Sequence, residues 1–455
     1  MKKKSDTASG EIEAAQGSIQ EDTWIPAICE GYCSDNPCTL RVHRVNGVAV
    51  GIEPNTESEG FENLAKNRGT LCSKAYSYLQ KLYNPHRIKG PVKRTNPEKG
   101  QGIDPRWVSI SWDEAFDIIA DKLKEIRAED TTRVAQGGPG LGAAMRCPAW
   151  WAFFPAYGHT QQLWGGRANR CEAGEHLFAQ RIHGGFQCEP DLDYCNYLII
   201  FGNNTAASGG ATEGVLFADA RDRGMKTVVI DPVLSPTAAK ATEWLPITPC
   251  TDIAFLLAMI NVIVWELGIY DEPFLKHKTN SPYLVNTDGY FVRDKTTRKI
   301  MVWDSIDNKT KTHDDGTVKS FALEGVYKIG KTECKPAFQV LKEHIIQYTP
   351  EWAASLTDIP ADTIRRITKE FVESARIGST IEVGDLTMPY RPAAIKMGRG
   401  ISGVMRSYQA VIANHIIAAL IGSIEVAGGH MGGTTFKEAN SEMASFFTDW
   451  NLIRA

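Results

Sequence analysis

The chain has no long basic run: 50 lysines and arginines stand against 54 aspartates and glutamates, for a net charge of −4. That balance leaves no electrostatic footprint for nucleic acid and speaks against it as a partner. Cysteine is sparse and unevenly placed, ten in 455 residues. So few thiols exclude a disulfide scaffold and point to a reducing compartment, read here as cytoplasmic, with the thiols kept for metal or catalytic use. Long apolar runs are missing too. The longest, 253–265, is interrupted by Asn261 and is too short to span a bilayer, so membrane attachment would need a partner subunit. The opening MKKKSDTASGEIEAAQGSIQED starts basic and then runs polar, without a secretory apolar stretch or a twin-arginine pair. Residues 1–23 are therefore expected to be a disordered lead-in. Internal repeats and low-complexity segments are absent as well.

What the chain does have is a grouping of four cysteines. Cys29, Cys33, Cys38 and Cys72 stand in the order C-x3-C-x4-C-x33-C, with Lys74 two residues after the last. Thiolates are soft ligands suited to iron-sulfur clusters or zinc, and three close cysteines plus one remote let a loop wrap a cubic cluster. Zinc, which usually takes two tight pairs, is the rival.

At 455 residues there is room for about three domains. A Pro- and Gly-rich basic stretch at 84–107 must be loop. Ser111 with Glu114 makes a capping box, and Trp112, Ala115, Phe116, Ile119, Leu123 and Ile126 recur on one helical face. Residues 136–183 are rich in Gly, aromatic and His residues and suit a pocket lining. Next comes an alternation: a strand at 197–201 (YLIIF), a small polar turn at 202–210, a helix at 211–223 closed by Gly224, and a strand at 226–230 (KTVVI). This is the building block of a doubly wound sheet, whose ligands bind at the carboxyl ends of the strands. Those ends are Gly202, Asn203, Asn204 and Asp231, although no G-x-G-x-x-G is present. A buried helix at 253–267 enters through Thr251 and Asp252, an inserted hairpin region is expected at 286–331, and helices resume from 338 to 374. The last part combines one apolar helix with two glycine-rich loops.

These residues together resemble a family. The cysteine group followed by C-S-K at Cys72, W-V-S-I-S-W-D-E-A-F-D-I-I-A from Trp107, F-G-N-N at Phe201, V-V-I-D-P at Val228, W-L-P-I-T-P-C-T-D at Trp244 and I-G-S-I-E-V-A-G-G at Ile421 are similar to motifs of the molybdopterin oxidoreductases. These are the catalytic large subunits of the dimethyl sulfoxide reductase superfamily. The ordered match covers about 24–433. It implies a multidomain α/β fold, an N-terminal iron-sulfur domain followed by doubly wound α/β domains. The boundaries read as 24–90 for the iron-sulfur domain, 91–160 plus 375–455 for a first α/β domain that is incomplete, and 161–374 for a Rossmann-like dinucleotide-binding domain.

The resemblance also implies one 4Fe-4S cluster and a bis-molybdopterin guanine dinucleotide holding molybdenum or tungsten. Lys74 would sit between cluster and pterin, where an ammonium steadies negative charge during electron passage. Gly202, Asn203 and Asn204 would form a loop approaching one guanine dinucleotide, with Asp231 accepting hydrogen bonds from a ribose or guanine edge and Asp252 from a guanine. The plainer reading of Asp252 is a helix N-terminal carboxylate stabilised by the dipole, and both can hold. The segment G-R-A-N-R-C-E-A-G-E-H places Cys171 as the metal ligand, with Cys147 the competing thiol and Cys188, Cys195, Cys250 and Cys334 read as core thiols. Glu172, His159, His176 and His183 are the candidate proton handlers, Glu172 and His176 foremost.

Two departures matter. The x4 spacing between the second and third cysteines is longer than the common x3, and the chain stops where family members continue into further domains, so it reads as an N-terminal portion. The expected function is a molybdenum- or tungsten-dependent oxidoreductase acting on a small molecule, with electrons relayed through the cluster to an iron-sulfur electron-transfer subunit. The inserted segment at 281–294 resembles branches that use water to hydroxylate or oxidise aromatic or acyl-thioester compounds. The alternatives are a non-redox hydratase or transhydroxylase on the same cofactor, and a non-catalytic iron-sulfur relay or truncated remnant.

Overall fold

The computed structural model describes residues 21–29, 38–56, 71–134, 136–137, 153, 156–158, 162–163, 179–184, 187–208, 210–404 and 407–433. The expected lead-in at 1–23 falls almost wholly outside them. The chain divides into two compact units, 1–31 with 37–122 and 32–36 with 123–455.

In the first unit, β1 (Asp22–Cys29), β2 (Cys38–Val45) and β3 (Val48–Pro54) form an antiparallel sheet in that order. Only Asn46 and Gly47 join β2 to β3. Their φ values of 48° and 80° give the twisted two-residue turn that Asn-Gly favours, which fixes the register of the hairpin. Two short helices follow, α1 (Ser73–Tyr76) and α2 (Tyr78–Leu82). Leu71 and Ala75 pack with Leu40 of β2 and Cys29 of β1 into one apolar cluster. The helix expected from the capping box is α3 (Trp112–Glu129), which begins in the first unit and runs past its boundary at Lys122, with Ser111 Oγ accepting from the Glu114 amide at 3.0 Å. Its apolar face is present but none of its side chains is buried; Trp112 is 62% and Phe116 59% exposed.

The second unit is organised by a parallel sheet. Preceded by β4 (Gln187–Pro190), its strands are β5 (Tyr197–Phe201), β6 (Lys226–Ile230), β7 (Glu243–Leu245) and β8 (Ala393–Met397), in the spatial order β7-β6-β5-β8. Every residue of β5 is buried, as expected of a parallel strand covered on both faces. On one face Tyr197, Ile199 and Phe201 meet Phe255, Met259 and Ile260 of α5 (Asp252–Asn261), Ile367 and Phe371 of α6 (Ala361–Ser374), and Ile417 of α7 (Ser407–Leu420). On the other, Leu198 and Ile200 meet Phe217 and Ala220 of α4 (Gly210–Asp222).

The sequence disclosed neither β7 nor, more consequentially, β8. Its Lys396 is buried and interrupts the apolar pattern; it is held by Glu189 of β4 and, at 2.8 Å, by Glu213 of α4. Burial alone would lower the pKa of Lys396, but the two carboxylates keep it raised and charged. Just before β8, Arg391 donates to Asp271 Oδ2 from Nη2 (2.7 Å) and Nε (3.2 Å) in a buried pair. The inserted region holds antiparallel strands at Leu284–Asn286, Met301–Asp304, Lys309–Thr312, Tyr327–Ile329 and Thr332–Pro336, as expected. β9 (His430–Gly433) closes the described chain by pairing with β4.

Candidate cofactor site

The first unit gathers three of the four cysteine positions. Cys29 ends β1 and Cys38 begins β2 directly opposite it in register, while Cys72 caps α1 and packs into the cluster that contains Cys29. The 33 residues between Cys38 and Cys72 are therefore spanned so that the remote thiol returns to the hairpin mouth. Cysteine positions brought together beside an apolar cluster fit an iron-sulfur centre. Lys74 lies on α1, half-buried, two residues from Cys72. Cys33 lies outside the described residues, as do Cys147, His159, Cys171, Glu172 and His176.

In the second unit the chain leaves β5 toward β6 on one side, and β8 lies on the other, so the carboxyl ends of β5 and β8 flank a topological switch point. Two short glycine loops meet there. Gly398 N donates to Phe201 O and Gly400 N to Gly202 O, both at 2.9 Å. A Cβ on Gly202 would lie 2.8 Å from Gly400 Cα, and one on Gly398 would lie 2.5 Å from Gly202 O. Gly202 also has φ of +53°. Only glycine permits this backbone-to-backbone approach. Gly202→Ala is expected to destabilise the chain by about 2–4 kcal/mol through the left-handed backbone and the contact; a denaturant midpoint unchanged from wild type would contradict this.

Side chains around the loops are fixed in direction. Asn203 Oδ1 accepts from Thr205 Oγ1 at 2.8 Å, and Asn204 Oδ1 from Thr237 Oγ1 at 2.9 Å, so the amide Nδ2 donors are the other end of each side chain. Asp231, at the end of β6, accepts the Val233 amide at Oδ1 (2.8 Å), and its carbonyl accepts from Trp244 Nε1 (2.8 Å). Asp252 opens α5 and is 7% exposed. Burial, with a further contribution from the charge on Asp231, pushes its pKa up to about 6. Beyond its own backbone amide, this buried carboxylate beside a second one has room for further donors, which the paired N–H groups of a guanine edge would supply.

This elevation sets a pH dependence. From the ordinary value of 3.8 to about 6, folded Asp252 retains a proton that the unfolded chain has released, so stability falls as pH rises through that window and stays lower above it. Asp252→Asn is expected to raise cofactor-free stability at neutral pH by about 1–3 kcal/mol and flatten that slope. Denaturant unfolding across the window checks it; an unchanged slope would contradict it.

The remaining thiols separate. Cys195 is buried, its pKa pushed up to about 12, and Cys334 is buried and shifted upward by the same cause, so both are core thiols. Cys250 is not one: it is exposed, at a φ of 68° in the turn before α5. Cys188 is half-buried on β4 beside two histidines. Sequence reasoning noted the glycine-rich loop but gave no role to Gly398, Arg399 or Gly400, because only the pairing of β8 with β5 brings that loop to the crevice.

A doubly wound parallel sheet whose switch point is bridged by two glycine loops, carried on one chain with a separate cysteine hairpin unit, makes this a multidomain α/β protein. The chain belongs to the molybdopterin oxidoreductase family: residues 87–449 match the molybdopterin oxidoreductase model, and residues 22–84 match the molybdopterin oxidoreductase Fe4S4 domain. Relatives include a sulfite dehydrogenase chain of Allochromatium vinosum, 29% identical over 93% of this chain and 44% of the relative. The dimethyl sulfoxide reductase of Escherichia coli is 27% identical over 92% of the chain and 46% of its own length. The molybdopterin-containing chain of the arsenate respiratory reductase from a Shewanella species is 26% identical over 90% and 41%. The chain thus spans less than half the length of these relatives. Acetylene hydratase from Pelobacter acetylenicus shares the fold, with a TM-score of 0.59 and 20% identity over 90% of this chain and 44% of that one. Among the described residues no single helix is long and apolar enough to cross a membrane.

Proposed function

We propose that this chain provides the cluster domain and the pterin-binding core of a molybdenum- or tungsten-dependent oxidoreductase. The observation that carries the reading is the meeting of the Gly202 and Gly400 loops at the carboxyl ends of β5 and β8, with Asn203, Asn204 and Asp231 at the same edge of the sheet and Asp252 close enough to Asp231 to feel its charge. Strand ends at such a switch point suit a guanine dinucleotide: small residues that let a pyrophosphate approach the backbone, and carboxylates for ribose and guanine. Cys29, Cys33, Cys38 and Cys72 would hold a 4Fe-4S cluster, with Lys74 between cluster and pterin and Cys171 as the metal's protein ligand. When bound, the pterin metal supplies two-electron chemistry and the cluster passes electrons singly. Glu172 and His176 would move the accompanying protons.

The names of the relatives, acting on sulfite, arsenate and dimethyl sulfoxide, support a substrate that gains or loses one oxygen atom. The balanced change is X plus water giving XO, two protons and two electrons. An iron-sulfur electron-transfer subunit would exchange the electrons, and the thiol usage supports a cytoplasmic setting. The test is turnover by anaerobically purified protein with a viologen dye as electron donor or acceptor, across pairs of compounds differing by one oxygen. Dye-linked turnover of one pair is expected. Hydration of a substrate with no electron acceptor present would overturn the redox assignment.

A further inference from the structure

Away from the crevice, the second unit brings together three side chains far apart in sequence. His183 closes a short turn at Ala179–His183, Cys188 lies on β4, and His415 lies on α7. One donor atom from each falls within 4.8 Å of the other two. The His183 and His415 ring centroids are 5.3 Å apart.

Hydrogen bonding orients both rings. His183 Nδ1 lies 2.5 Å from Glu425 Oε1. A carboxylate oxygen accepts, so Nδ1 carries the hydrogen and Nε2 is left with its lone pair. That Nε2 is buried and has no hydrogen-bond partner among the described residues, on a side chain with no exposed surface. Glu425 is itself held, its Oε1 accepting from the Gly432 amide at 2.6 Å. His415 Nδ1 lies 2.8 Å from Val411 O, which again only accepts, so its Nε2 carries the lone pair too. Two imidazole nitrogens with lone pairs thus stand beside one thiol, whose proton a metal would displace. A carboxylate or carbonyl bound to the far nitrogen of each ring is how metal-bound histidines are held in tautomer and direction.

We propose that His183, Cys188 and His415 form a three-ligand site for a borderline-soft divalent cation of the zinc class, with the fourth position left to water. Two imidazoles and a thiolate match that ion's preferences, and tetrahedral ligands about 3.3–3.8 Å apart require only a small contraction of the present cluster. The ion would pin the turn, β4 and α7 together. Binding would release the thiol proton of Cys188 and leave the Nδ1 hydrogens in place. The site shares no residue with the cysteine quartet, so it can be read independently of the cluster.

The test uses the full chain with its iron loaded, titrated with cobalt(II) as a spectroscopic stand-in and with zinc for thermal stability. Wild type is expected to take up one further equivalent of cobalt with a thiolate charge-transfer band and to melt higher with zinc. Cys188→Ser and His183→Gln should each lose that band and the zinc-dependent shift while keeping wild-type iron; either variant suffices if the other does not fold. Glu425→Gln, which alters only the orienting bond, should weaken cobalt binding by about 10-fold or more while keeping the band. Wild type taking up no further cobalt, or variants showing the same band and stoichiometry as wild type, would overturn the proposal.

Discussion

Cys171→Ser is expected to lower turnover at least about 100-fold, or redirect it to another substrate, while leaving iron at about four per chain. A thiolate places more electron density on a soft metal than an alkoxide does, so this exchange alters the metal's reactivity without touching the cluster ligands. The residue lies within G-R-A-N-R-C-E-A-G-E-H, eight residues before the turn at Ala179–His183. The paired readout matters. Lost activity with iron intact assigns the thiol to the second metal, lost activity with lost iron would indicate a folding defect, and unchanged activity would remove Cys171 as ligand and turn attention to Cys147.

The second large effect is at the cluster. Cys72→Ala, or Cys33→Ala, is expected to reduce iron from about four per chain to under one, because three thiolates do not retain a cubic cluster well. Cys72 is the more informative of the two: it caps α1 and packs against the cluster that contains Cys29, so its position is fixed by the fold. Electron exchange with a protein partner should then fail. A variant that kept its full iron would show that the remote thiol is not a ligand.

Much of the second unit was legible because its strands are short, continuous and apolar. YLIIF and KTVVI are β5 and β6 as expected, and Gly224 closes the helix between them with φ of 93°. The buried helix opening at Asp252, the inserted strands and the later helices were legible for the same reason, strong local pattern. What the sequence hid depends on distant contacts. Lys396 disguised β8, since its two carboxylate partners lie 207 and 183 residues away along the chain. Without β8 there is no switch point, and Gly398 and Gly400 had no crevice to line. The His183, Cys188 and His415 cluster was hidden likewise: the local spacing of 183 and 188 follows no metal pattern, and His415 arrives on a helix read only as apolar. The face of α3 was legible as apolar, yet its exposure was not, because periodicity shows that a face exists and not what covers it.

The most direct test of the central claim is metal and pterin analysis of the chain purified without oxygen, counting molybdenum, tungsten and iron per polypeptide and the guanine nucleotide released by acid. The account predicts molybdenum or tungsten together with about four irons and guanine nucleotide. Iron alone, with neither heavier metal nor guanine nucleotide, would contradict it and leave the crevice at Gly202 and Gly400 without the ligand assigned to it.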